Sequence, residues 1–214
     1  MIRHDRDARR LAIALSTLAG YVDATAFIML GGFFVSFMSG NTTRLGVGLA
    51  EHTAAAPIAA MLIGAFVLGV IAGSLCGHFA GARRRPAVLG LVTLLLAAAA
   101  LLGAGELRWS AAFVLALAMG AENAVFERDG EVQIGLTYMT GTLVKLGQRV
   151  TAALLGGPRL DWLPYFLLWL GLLAGTVLGA TAQHYLGSGG LWIATAAAAI
   201  LAVTAALLPQ EAPS

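Results

Sequence analysis

The polar chemistry of an otherwise oily chain is concentrated in one stretch: Met38-Ser39-Gly40-Asn41-Thr42-Thr43-Arg44-Leu45-Gly46. The chain then writes it again as Met139-Thr140-Gly141-Thr142-Leu143-Val144-Lys145-Leu146-Gly147. Met, a hydroxyl, Gly, a cation, Leu and Gly recur in the same order. Such a segment is too polar to lie passively in lipid and too apolar for a surface loop. It reads as a broken, half-inserted helix, with Gly40 and Gly141 supplying the flexible break. Ser39, Asn41, Thr42 and Thr43 are of the types that cap freed amides. A helix N-terminus carries partial positive charge and suits an anion or carboxylate. Arg44 and Lys145 add a full cation to each copy. For Ser39 and Thr140, plain capping and substrate contact stay equally open. Asn41 suits ligand contact better, because a long amide in a break can read a ligand.

Ionisable groups inside apolar spans are costly and mark functional sites by default. Asp23 lies about two-thirds along the first apolar run, and Glu122 and Asn123 hold the matching place later. The natural partners within each copy are Arg44 for Asp23 and Lys145 for Glu122. Two outcomes stand: static pairs that neutralise buried charge, or carboxylates that bind a coupling ion such as a proton. His78 and His184 sit near span ends, where a histidine is ordinarily interfacial. Trp109, Trp162, Trp169 and Trp192 read as interface anchors. Glu127-Arg128-Asp129 reads as a solvated turn.

The elements that must position these groups follow from composition. The chain has 214 residues, of which 59% are apolar and 11% charged, whereas soluble domains run near about 25% charged. Mean hydropathy is +0.84, and several apolar runs are long enough to span a bilayer, which makes this a polytopic membrane protein. Cys76 is the one cysteine, which excludes an internal disulfide and a thiolate zinc site. No basic nucleic-acid patch appears, and no cofactor motif. The basic head (Arg3, Arg6, Arg9, Arg10) ahead of an apolar run resembles a signal peptide, but the run is long and carries Asp23, so cleavage is not expected.

Spans are expected at 11–30, from 57 to 80, 87–102, 109–126, 162–186 and 191–208, with the two motif regions at 33–50 and 134–155. Arg83-Arg84-Arg85 is the strongest orientation marker. With it and the basic head both cytoplasmic, an even number of crossings must separate them. Six crossings satisfy this only if neither motif crosses; eight crossings are the competing topology. The first arrangement puts both termini in the cytoplasm and Lys145, Arg149 and Arg159 on the cytoplasmic side.

The similarity also reaches beyond the motifs. Ala19-Gly20-Tyr21-Val22-Asp23-Ala24 matches Met119-Gly120-Ala121-Glu122-Asn123-Ala124. Ala65, Gly69, Gly73, His78 and Gly81 match Gly171, Gly175, Gly179, His184 and Gly187. The glycine series suits close helix packing. The fold class is therefore an all-α polytopic membrane protein, one membrane domain over 1–214 built as a 3+3 inverted repeat of 1–105 and 106–214. Three crossings per copy place the copies in opposite orientation, an architecture that recurs in transporters with the site between the repeats. The expected function is a transporter or channel for a small anionic or zwitterionic solute, with proton coupling open. The expected site is Asp23, Ser39, Gly40, Asn41, Thr42, Arg44, Glu122, Asn123, Thr140, Gly141, Thr142 and Lys145. The alternatives are a non-transporting membrane scaffold or partner subunit, and an intramembrane hydrolase with Ser39 as nucleophile. The expected surroundings are the lipid bilayer and a small solute; no nucleic acid, metal, cofactor or enzymatic activity is expected. The Gly-rich faces would serve a homodimer as readily as the monomer's own packing.

The combination of Gly20-Tyr-Val-Asp23-Ala, Gly31-Gly32-Phe and Met38-Ser39-Gly40-Asn41-Thr42 with Met139-Thr140-Gly141-Thr142 and Leu146-Gly147 resembles the YoaK-like family, the domain-of-unknown-function 1275 family. The resemblance covers nearly the whole chain, with Ser39 where that family usually carries Thr. It implies a bacterial inner-membrane protein of about six spans and no particular substrate.

Overall fold

The computed structural model describes residues 6–128, 131–132 and 135–207. Arg3 of the basic head, Asp129 of the charged turn, Ile134 at the start of the second motif region and Pro209 lie outside them.

Among the described residues the chain forms eight α-helices: α1 (Arg6–Met29), α2 (Met38–Ala50), α3 (Ala55–Ala80), α4 (Arg84–Ala104), α5 (Arg108–Glu122), α6 (Met139–Leu154), α7 (Leu163–Leu186) and α8 (Leu191–Leu207). A 3-10 segment, Asn123–Phe126, extends α5. The one departure from helix and turn among the described residues is an antiparallel ladder of two-residue strands, β1 (Glu127–Arg128) with β2 (Glu131–Val132).

Among the described residues four stretches are long and apolar enough to cross a membrane: Asp7–Met29, Ala55–Ala104, Arg108–Phe126 and Leu163–Leu207. The second and fourth run 50 and 45 residues, too long for one pass of roughly 20. Each is folded back by a short 3-10 turn opened by a glycine, Gly81 and Gly187, both at φ 54°. Side chains are disfavoured there, so the glycines fix where each long apolar run reverses. By contrast α2 and α6 hold 13 and 16 residues, about 20 and 24 Å at 1.5 Å per residue. Neither reaches across a hydrocarbon core of about 30 Å.

The exterior is apolar, with Leu68, Ile71 and Phe79 on α3 and Val177, Leu178 and Tyr185 on α7 exposed. The interior is built from small residues and a few large ones such as Leu15, Leu62, Leu96, Leu115 and Met119, all fully buried. Apolar side chains gain nothing by leaving lipid, so close backbone approach carries the packing.

That approach is specific. α1 and α7 lie against each other with Gly171, Gly175 and Gly179 set on the carbonyls of Ile13, Thr17 and Tyr21. The pairs advance together along both helices, so the two run parallel. α3 and α5 do the same, Gly69 and Gly73 on the carbonyls of Leu117 and Ala121. The contacts are returned: Gly20 of α1 abuts Leu172 and Thr176, and Gly120 of α5 abuts Phe66 and Val70. A side chain at any of these glycines would collide with backbone.

Two further contacts fix the ends. Tyr21 donates its hydroxyl to the Gly190 carbonyl at 2.7 Å, at the turn between α7 and α8. Gly103, at the end of α4, lies against Ser188 and Leu191 of the same turn. So α1, α4 and α7 finish at one end of the bundle. α3 finishes where α4 starts, at the other end. The chain therefore leaves α1 and enters α3 at the same end, with α2 between them. It leaves α5 and enters α7 at the opposite end, with α6 between them.

Candidate functional site

Between α1 and α2 the chain turns at Gly31 and Gly32, both at positive φ, and runs back down beside α1 through residues 33–37. Asp23 receives it. One carboxylate oxygen accepts the N–H of Val35 at 2.8 Å and of Ser36 at 2.9 Å. Buried backbone donors must be satisfied, and here a side chain satisfies two that no helix can. Asn41, fully buried in the first turn of α2, grips the same segment. Its oxygen accepts the Phe34 N–H at 3.1 Å and its amide donates to the Phe34 carbonyl at 2.7 Å.

In the second copy the matching helix position holds its segment through a side chain instead of backbone. Asn123 donates to the Met119 carbonyl at 2.9 Å and accepts the Thr137 hydroxyl at 3.2 Å. The segment ahead of α6 is also tied to the middle of α1, where the buried Ser16 hydroxyl reaches the carbonyls of Leu168 at 3.1 Å and Leu136 at 3.5 Å. Asp23 with Ser36, and Asn123 with Thr137, thus occupy equivalent places.

The two descending segments meet. A cavity of about 310 Å³ is lined by Ser36, Phe37, Met38 and Ser39 on one side, Thr137, Tyr138, Met139, Thr140 and Gly141 on the other, and Phe66 of α3. Phe37, Ser39, Tyr138 and Thr140 are exposed at its mouth. The starts of α2 and α6 both face it, so the partial positive charge of two helix N-termini converges on one space. Its lining is otherwise hydroxyl, aromatic and thioether.

Not every expected site residue comes to the cavity. Ser39, Thr140 and Gly141 line it. Gly40 packs against the rings of Phe37 and Phe34. Thr42 and Thr142 spend their hydroxyls on the Met38 and Tyr138 carbonyls, at 2.8 and 3.2 Å. Thr43 does the same to Ser39. The expected capping role is therefore corrected: the first helical residue is Met38 or Met139, no side chain caps either N-terminus, and the hydroxyls lie inside the first turns. The break itself falls earlier than Gly40 and Gly141, at 31–37 in the first copy.

The expected ion pairs are also corrected. Among the described residues neither Asp23–Arg44 nor Glu122–Lys145 forms. Arg44 stacks its guanidinium over the Phe33 ring, 4.8 Å from the centroid, and lies on Gly32. Lys145 is exposed on α6. Glu122 is fully buried and neither carboxylate oxygen has a hydrogen-bond partner. The turn at Glu127 is not simply solvated. Its carboxylate accepts the Ser74 hydroxyl at 2.6 Å and pairs with Arg84 at 3.2 Å, tying the ends of α3, α4 and α5 together.

Sequence reading missed Ser36, Phe37, Thr137 and Tyr138. Their signal was present: Ser36-Phe37-Met38-Ser39-Gly40 and Thr137-Tyr138-Met139-Thr140-Gly141 share hydroxyl, aromatic, Met, hydroxyl, Gly. The repeat begins two residues before the stretch first singled out.

The family described as "Protein of unknown function (DUF1275)" matches residues 11–204. The chain belongs to the DUF1275 family. A UPF0700 transmembrane protein of Rhizobium meliloti (strain 1021) is 39% identical over 215 aligned residues, covering 99% of this chain and 92% of that one. No solved structure matches the chain. With its apolar helices and this relative, the DUF1275 chain is a multi-pass membrane protein. The family match covers both motif copies, most of α1 through most of α8, and the residues that line the cavity.

Proposed function

We propose that this protein moves a small anionic or zwitterionic solute across the bacterial inner membrane, through the cavity shared by the starts of α2 and α6. In this reading the chain is a 3+3 inverted repeat in one membrane domain. Each half contributes three crossing helices and one half-inserted helix, α2 from one face and α6 from the other. The observation that carries it is the convergence of two interrupted segments, entering from opposite ends of the bundle, on one hydroxyl-lined cavity. Non-helical backbone at membrane depth is tolerated where protein or water satisfies it, and inverted repeats with such helices commonly hold a solute between them.

The electrostatics favour a negative group. Asp23 already neutralises the backbone donors ahead of α2. Its counterpart Asn123 is uncharged, so the start of α6 is where an anionic end of a solute meets an uncompensated helix terminus. Thr140 offers a hydroxyl beside it.

Orientation follows from the cations. Arg9, Arg10, Arg83, Arg84, Arg85, Arg149 and Arg159 all belong to the end at which α1 begins and α3 finishes. The positive-inside rule puts that end in the cytoplasm, with both termini.

The test has two parts. In a Cys76→Ala background, single cysteines at Ala50 and Leu154, the far ends of α2 and α6, are treated with an impermeant thiol reagent. Ala50→Cys should react from outside only and Leu154→Cys from inside only. Reaction of both from one side refutes the inverted arrangement. Purified protein in liposomes is then screened for flux of small carboxylates and amino acids. Ser39→Ala and Thr140→Val should reduce flux several-fold while leaving stability within about 0.5 kcal/mol, as for exposed positions generally. No flux of any solute refutes the transport reading and leaves the scaffold alternative. Hydrolysis of a substrate that Ser39→Ala abolishes would establish the enzyme instead.

A further inference from the structure

We propose that Glu122 is a proton-binding site, the group that takes up and releases a proton during the working cycle, and that Asp23 is not. As a coupling site this rests on the transport reading; as a proton site it stands alone.

The first argument is burial. Glu122 has no exposed surface, and both its oxygens lack a partner. Burying an ionised carboxylate without donors or a counter-charge is among the largest penalties a fold can carry. Among the described side chains, the titratable and charged groups on the elements packed against α5 are Asp7, Arg9, Arg10, Tyr21 and Asp23 on α1, Cys76 and His78 on α3, and Arg84 and Arg85 on α4. Glu127 follows on α5's own extension. None of them hydrogen bonds to Glu122. Arg84 pairs with Glu127, and Arg85 lies over the Phe126 ring. The carboxyl also ends α5, at the negative pole of that helix. In this conformation Glu122 is a carboxylic acid holding its proton.

The second argument is the internal comparison. The residue that matches Glu122 in the first half is Val22, which is also fully buried. The same helix crossing, with Gly20 and Gly120 against the partner backbone, is built around valine in one copy and glutamate in the other. Packing alone does not call for a carboxyl at this place. Asp23 is the opposite case: its oxygen is occupied by two backbone N–H groups that have no other acceptor, so it is committed to structure.

The third argument is position. Glu122 is the last α-helical residue before the 3-10 segment that starts at Asn123. Asn123 is tied to Thr137, which lines the cavity. A shift of Thr137 on solute entry pulls through Asn123 on the joint that carries Glu122. Opening that joint lets cavity water reach the acid. The step is a plain proton transfer. The acid O–H bond breaks, a water oxygen takes the proton, and the carboxylate keeps the electron pair.

The test needs no solute. Infrared spectra of the full-length protein in lipid are recorded in H2O and D2O for the wild type, Glu122→Gln and Asp23→Asn. The wild type should show a buried carboxylic-acid C=O band at neutral pH that shifts on deuteration. The band should vanish in Glu122→Gln and persist in Asp23→Asn. It should fade on raising the pH and return on lowering it. Glu122→Val, copying Val22, supplies a folded control if the glutamine variant does not assemble. A wild-type spectrum from which neither substitution removes a band, a band lost in Asp23→Asn instead, or a band unmoved by pH over the whole folded range overturns the proposal. Absence of solute flux with the band present would sink the transport reading alone.

Discussion

Asp23→Ala isolates what holds the first half of the cavity in place. The carboxylate accepts from Val35 and Ser36 at 2.8 and 2.9 Å, and both of those residues are buried. Hydrogen bonds to a charged group contribute about 1.5–3 kcal/mol each, and removing the acceptor leaves each donor with its desolvation penalty. Two donors give a loss of about 3–6 kcal/mol for Asp23→Ala. Asparagine keeps one acceptor oxygen in the same place. Charge-assisted bonds are roughly twice as strong as neutral ones, so Asp23→Asn should lose about half as much. Asn41 grips the next residue of the same segment through two bonds. Once either anchor is gone the segment relaxes and the second has less to hold, so Asp23→Ala with Asn41→Ala should cost less than the sum of the single changes. The assay is tryptophan-fluorescence unfolding of detergent-solubilised protein across the four variants. Wild-type stability in Asp23→Ala, or full additivity in the double variant, would refute the account of Asp23 as the acceptor for a dipping segment.

Two further outcomes are expected. Gly175→Ala and Gly69→Ala each drive a Cβ into a carbonyl of the neighbouring helix and should cost several kcal/mol or abolish assembly by size exclusion. Gly147→Ala on α6, where nothing lies within 4 Å, should instead be neutral or stabilise by up to about 1 kcal/mol through helix propensity. Arg84→Ala breaks a half-buried pair and, among the described residues, leaves the Glu127 carboxylate with the Ser74 hydroxyl, so it should cost about 1–3 kcal/mol. Glu127→Gln should cost less, and neither loss should respond strongly to salt if the pair is shielded as its burial indicates.

The spans and glycine stripes were legible because lipid imposes a simple rule: apolar length sets the crossing, and small residues set the seam. Helix ends fell within a few residues of expectation for that reason. The span start at residue 11 missed only the basic first turn, which continues α1 back to Arg6. The connections of the polar groups were not legible. Arg44 is the cation of the motif that follows Asp23, so charge pairing within the copy pointed to it. What Asp23 meets is backbone, because residues 33–37 fold back along α1 and arrive with donors that need an acceptor. The hydroxyls of Thr42 and Thr43 were misread as caps because α2 starts earlier than Gly40 suggests. Inside a first turn, a threonine hydroxyl returns to the carbonyl four residues before. Glu127 shows the same limit. Nothing local announces that Arg84, 43 positions away, will reach it.

The seams between α1 and α7 and between α3 and α5 make each half of the chain lean on the other. Cut between α4 and α5, the polypeptide would become two pieces, each displaying half of both seams and able to complete neither. Such fragments should be unstable when made separately and recover when made together. In the intact chain, α1 must wait in the membrane for α7, so the longest-lived vulnerable species during synthesis is one whose first helix has no wall to lean on until most of the protein has been made.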